Sequence, residues 1–125
     1  MRTEIKNWLM QAEEDLDSAE KNFEINKHYL VSFLCQQAVE KGLKALILAK
    51  SREKPIGHSL IYLGKLAGVP KKYFSELKKL SPQYFISRYP DISEDIPYEL
   101  YDEESSKNFL KIAREVIEWI KGQLK

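Results

Sequence analysis

Two histidines, one cysteine and an arginine–tyrosine–aspartate cluster carry most of the reactive chemistry in this chain of 125 residues. Metal-free cleavage of a phosphodiester needs a group that moves a proton near neutral pH and a cation that holds the phosphate. His58 immediately precedes an apolar helical stretch, where it can cap the helix or join a polar site. His28 stands at a helix start and reads as solvent-exposed. Arg88 can grip a phosphate bidentately while the neighbouring Tyr89 stacks on a base. Alternatively, Arg88 pairs with Asp91 or Glu94 and rivets its loop to the fold. One cysteine and two separated histidines offer no recognisable ligand spacing, so no metal is expected. Cys35 has no partner for an internal disulfide and reads as a buried small hydrophobe.

The stretch from Phe33 to Ala49 must position much of this chemistry. At roughly 100° per residue, Leu34, Cys35, Ala38, Val39, Gly42, Ala45, Leu46 and Ala49 share one broad apolar arc. A helix this apolar is largely buried, and its small residues let neighbours approach closely. Gln36, Gln37, Glu40, Lys41 and Lys44 form a polar stripe on the other side. Lys41 and Lys44 share a face that can bind an anion. Glu40 and Lys44 also stand four apart in the favourable order for a simple helix pair. Gln36 and Gln37 can read a base edge, or satisfy one another across a dimer interface.

The flanking elements read as helical. Ile5, Trp8, Leu9, Ala12, Leu16, Ala19 and Phe23 fall within about 100° of one another, giving a one-sided helix from Thr3 to Phe23. Asn26-Lys27-His28 breaks the pattern, and the central helix runs from about Tyr29 to Lys50. A shorter helix starts near His58 or Ser59 and closes at Gly68. Pro70 opens another, whose outer lysines Lys71, Lys72, Lys78 and Lys79 read as a solvated face. Ser81 to Tyr101 holds three prolines, four tyrosines and several acids, which deny a continuous helix but give aromatics to pack. An ordered loop across the bundle is the reading, and such loops are often functional. Asp102 suits the N-cap of the last helix, whose apolar arc spans about 180°. The expected architecture is all-α: an up-and-down helical bundle of four longer helices plus one short helix, with a long ordered loop before the last helix. It fits one domain over residues 1–125.

A net charge of +1 supplies no overall field toward nucleic acid or anionic membranes. The polar N-terminus resembles no signal peptide, and no apolar run reaches the ~18 residues of a membrane span. The expected location is the cytoplasm.

Four segments, in order, resemble the HEPN-domain family. Trp8, Ala12, Asp15, Leu16 and Ala19 resemble its opening helix. Ser32 to Leu46, SFLCQQAVEKGLKAL, resembles its QQAAEKALKAL-type helix. Gly57-His58-Ser59-Leu60 resembles its GH-(S/D)-L segment, and Ser87-Arg88-Tyr89-Pro90-Asp91 its RYPD segment. The resemblance implies a homodimeric helical bundle. It further implies a nucleotide-binding or interaction subunit beside a minimal nucleotidyltransferase, in a toxin–antitoxin-like pair. The implied site is lined by Gln36, Gln37, Lys41, Lys44, His58, Arg88, Tyr89 and Asp91, with a nucleotide such as ATP as ligand and no other cofactor. Other branches are metal-independent ribonucleases carrying Arg, four to six residues, then His, late in the fold. Here no histidine follows Arg88, while Arg52 and His58 match the spacing only in the turn before the short helix. A non-catalytic role is therefore the expectation. The alternative is a ribonuclease with a degenerate motif, using Arg88 or His58.

Overall fold

The computed structural model describes residues 1–51 and 53–125. Its long helices are α1 (Thr3–Glu24), α2 (His28–Ser51) and α6 (Glu103–Gln123); α3 (Leu60–Ala67), α4 (Phe74–Leu80) and α5 (Gln83–Ile86) are short. No strand occurs among the described residues. Helix α2 is the axis, packed against α1, α6, α3 and α5. Leu43, Leu46, Val39 and Cys35 of α2 meet Leu60 and Leu63 of α3, Leu77 and Leu80 of α4, and Val116 and Ile120 of α6 in one core. No helix among the described residues is long and apolar enough to cross a membrane.

Local chemistry sets the boundaries. Asn26, with φ 62°, makes the left-handed step between α1 and α2 that asparagine tolerates. Ser59 caps α3 by accepting from the Tyr62 amide at 3.2 Å, and Gly68 closes it in the left-handed region at φ 77°. Asp102 caps α6 in a reciprocal box with Ser105: the Ser105 amide donates to the carboxylate at 2.9 Å, and the Asp102 amide donates to the hydroxyl at 3.0 Å. That amide bond holds the Asp102 carboxyl below its ordinary value.

Two expectations sharpen. Of the four longer helices read from the sequence, the one after Pro70 enters through a 3-10 turn at Lys71–Tyr73 and stops at Leu80, close before Pro82, so α4 is short. The loop from Ser81 to Tyr101 holds its own helical turns, α5 and a 3-10 turn at Pro97–Glu99. Pro97 is buried, and Tyr101 donates its hydroxyl to Gln83 Oε1. Burial pushes that phenol up to about 12. Cys35 is fully buried, which pushes its thiol well above the ordinary range.

Two packing details carry testable consequences. Gly42 lies where α1, α2 and α6 converge, and a Cβ there would sit 3.0 Å from Ile120 Cδ1 and 4.0 Å from Ala12 Cβ. Gly42→Val should therefore destabilise by about 1–3 kcal/mol in urea unfolding. Gly122→Ala, where an added Cβ meets nothing within 4 Å, should be neutral or stabilising. Glu76 on α4 buries one carboxylate oxygen that has no hydrogen-bond partner among the described residues. Burial first, then the Glu115 carboxylate, raise its folded pKa. The protonated form thus favours the fold below the ordinary carboxylate value, and that benefit is lost as pH rises through the raised one. Glu76→Gln should raise Tm at neutral pH and leave it unchanged in acid; an equal gain at both would contradict this.

Candidate functional site

The polar stripe of α2 is not an open wall. Gln36, Glu40 and Lys44 are buried, with Glu40 only 4% exposed. Charge at such burial survives only when paired and hydrogen-bonded, and every stripe residue is. Lys44 Nζ donates to Glu40 Oε2 at 3.0 Å, and Gln36 Nε2 donates to Glu40 Oε1 at 3.2 Å. Gln37 Nε2 donates to Gln36 Oε1 at 2.8 Å, so the two amides satisfy each other within one chain. Lys41 reaches across to α1, donating to Asp15 Oδ2 at 2.6 Å, while Gln11 donates to the other oxygen of Asp15 at 2.9 Å. The two lysines read as a shared anion-binding face are thus each committed to a carboxylate. Lys44 Nζ additionally lies 5.6 Å from the Trp8 ring centre.

Through Glu40 the stripe holds His58. Its Nδ1 stands 3.0 Å from Glu40 Oε1, and the Gln36 amide donates to the His58 carbonyl at 3.2 Å. An acceptor at Nδ1 makes that nitrogen the donor. The next contact joins His58 to the loop. Its ring stacks on Tyr84 of α5, with centroids 3.8 Å apart and planes 13° from parallel. Arg88 leans on the same ring, its Cζ 4.2 Å from the Tyr84 centre and 4.8 Å from those of Phe33 and Tyr89. The structure therefore brings Gln36, Gln37, His58 and Arg88 into one connected cluster, with Glu40 and Tyr84 as the links.

Arg88 is held there by α5. Pro82 starts that turn, Ser87 closes it by donating to the Gln83 carbonyl, and Arg88 Nε donates to the Tyr84 carbonyl at 2.7 Å. Asp91 and Glu94 form no ion pair with Arg88 among the described residues. That Nε bond is the only hydrogen bond of the guanidinium among the described residues, which leaves both terminal nitrogens available. Tyr89 is 43% exposed, and Asp91 is exposed on the following turn. Arg52 lies outside the described residues, so its pairing with His58 has no geometry here.

On its other side Arg88 borders a cavity of about 500 Å³ between the α1–α2 turn and the loop. Lys27, His28, Tyr29, Pro97 and Tyr98 contribute to its lining, and no lining residue bears a carboxylate. His28 is half-buried rather than exposed: Nδ1 lies 2.7 Å from Ser106 Oγ, and Phe23 meets the ring edge-on at 5.8 Å. Of the residues singled out from sequence as ligand contacts, only Arg88 reaches this cavity. Lys27, His28 and Tyr98 are additions that only the folding of the loop over the α1–α2 turn could reveal. No group of three or more metal-ligating side chains gathers among the described residues.

The HEPN domain profile matches residues 5–123, and the chain belongs to the HEPN family. TT1696 from Thermus thermophilus is similar in structure, with a TM-score of 0.89, 27% identity and coverage of 98% of this chain and 99% of that one. ST0689, an archaeal HEPN homologue, is 34% identical with a TM-score of 0.83, and each chain is covered in full. No curated protein shows a significant sequence match.

The Glu40 network makes a double-mutant test. Glu40→Ala strands the Lys44 ammonium in the core and should cost about 3–5 kcal/mol. Adding Lys44→Met to it should restore much of that loss in chemical denaturation. A loss in the double variant equal to the sum of the two single-variant losses would show that the two charges are not coupled.

Proposed function

We propose that this HEPN protein binds a nucleotide such as ATP at the Arg88 cavity and serves as a non-catalytic subunit beside a partner protein. The observation that carries the reading is the presentation of Arg88. Its Nε donates to the Tyr84 carbonyl, its guanidinium lies among the rings of Tyr84, Phe33 and Tyr89, and the residue borders a cavity that Lys27 and His28 also line and to which no carboxylate contributes among the described residues. A planar fork preorganised in this way suits bidentate phosphate binding, and Tyr29 and Tyr98 offer rings for a base. Residues of the central stripe act behind this site, holding His58 and hence Tyr84. Family membership supports a minimal nucleotidyltransferase as partner, in a toxin–antitoxin-like pair, and a homodimeric assembly.

A second reading, metal-independent ribonuclease, is favoured by one observation: His28 and Arg88 line the same cavity although they are far apart in sequence. Imidazole and guanidinium would there supply the proton transfer and phosphate stabilisation that the chemistry needs.

Calorimetric titration with ATP tests the first reading. Arg88→Ala should weaken binding at least about tenfold, the loss of a charge-assisted hydrogen bond, and Arg88→Lys should recover it only partly. Absence of heat from the unaltered protein would end the nucleotide assignment. Cleavage of RNA in the presence of chelator, lost in both His28→Ala and Arg88→Ala, would favour the second reading instead.

A further inference from the structure

The loop before α6 carries a surface that the bundle does not use. Phe85, Tyr89, Ile92, Ile96, Tyr98 and Leu100 are each between 36% and 61% exposed. Single exposed hydrophobes are ordinary, but six within one short stretch mark a contact surface. The stretch is also predominantly acidic. From Phe85 to Leu100 it holds Asp91, Glu94, Asp95 and Glu99 against one cation, Arg88, in a chain whose net charge is +1. Among the described residues, Asp91, Glu94, Asp95 and Glu99 enter no ion pair.

This surface is mounted on fixed points. Pro97 is buried, Tyr101 holds Gln83 through its hydroxyl, and Arg88 and Ser87 tie the N-terminal end to α5. Apolar groups displayed on an ordered support lose little conformational freedom on binding, which favours association.

We propose that the segment from Phe85 to Leu100 is a docking surface for a second protein that presents a cationic segment with apolar anchors. The sign of the charge selects this occupant. Four acids, none in an ion pair among the described residues, repel nucleic acid and anionic lipid, both of which require a basic surface. A two-fold contact of this patch with its copy would set acid against acid, because such interfaces pair the same surface with itself. A basic partner meets neither obstacle: its cations face the unpaired acids and steer encounter, and its apolar anchors cover the exposed rings. The inference deepens the partner half of the reading above and does not depend on the nucleotide half. Ile96 and Tyr98 belong to both the patch and the cavity lining, so a docked partner lies beside the Arg88 cavity.

Fluorescence anisotropy with a labelled, short synthetic amphipathic peptide of leucine and lysine tests this on the full chain. Binding should weaken with added salt. It should fall at least about tenfold in Glu94→Lys/Asp95→Lys and in Ile92→Ser/Leu100→Ser, as expected when central contacts of an interface are removed. Unchanged thermal melts of these exposed-site variants would show that the fold is retained. A leucine–glutamate peptide of the same length should not bind. No binding of the cationic peptide, or equal binding by the variants, would overturn the proposal. So would a change of oligomeric state in the variants by sedimentation, which would assign the patch to contact between copies. ATP titration of the same samples separates the two readings: peptide failure with intact ATP binding removes the docking surface alone.

Discussion

One buried carboxylate organises the side of this bundle where the chemistry lies. Glu40, almost without solvent contact, has its two carboxylate oxygens met by donors from Lys44, Gln36 and His58. Each donor has a second consequence. Lys44 lies against Trp8 of α1, Gln36 also holds the backbone ahead of α3, and His58 offers its ring face to Tyr84 of α5. A single charge on the central helix thereby fixes how α1, α3 and α5 stand around it.

From that anchor the functional geometry follows outward. Tyr84, stacked on His58, supports the guanidinium of Arg88 with its ring and bonds Nε with its carbonyl. The polar groups nearest the core are paired with one another, whereas Arg88, at the end of the chain of contacts, has one side-chain hydrogen bond among the described residues and borders a cavity. Along the chain of contacts Glu40 and Lys44 are thus committed to each other, while Arg88 forms no ion pair among the described residues. The acidic, apolar surface on the same loop lies next to the cavity that Arg88 borders, so the proposed partner and ligand contacts are neighbours.

Much of the fold was legible in the sequence because its determinants are local. Ser59, Gly68 and Asp102 act at the helix ends they mark, the break at Asn26 coincides with its positive φ, and the apolar arc of α2 faces the core except at Ala49, which is exposed. The length of the helix after Pro70 was less legible, since Pro82 sets its end against an otherwise continuous pattern. For the site, three of the four segments that carry the HEPN resemblance meet, as Glu40, His58 and Arg88 are joined through Tyr84, while Asp15 of the opening segment pairs with Lys41. What a helical wheel cannot show is which polar face another element covers. Gln36 and Lys44 look like surface on α2 alone and are buried once α1, α3 and α5 are in place. His28 and Arg88 meet at one cavity through the path of the loop, a long-range consequence with no trace in local spacing.

The central claim is that the stripe of α2 supports the site while Arg88 and the cavity receive the ligand. Titration of isotope-labelled protein with ATP, followed by nuclear magnetic resonance of backbone and side-chain N–H groups, tests it directly. The account predicts that the Arg88 Nε–H and the amides of Lys27, His28 and Tyr98 shift, while the side-chain amides of Gln36 and Gln37 stay in place. Shifts centred on Gln36 and Gln37, with Arg88 unmoved, would contradict it.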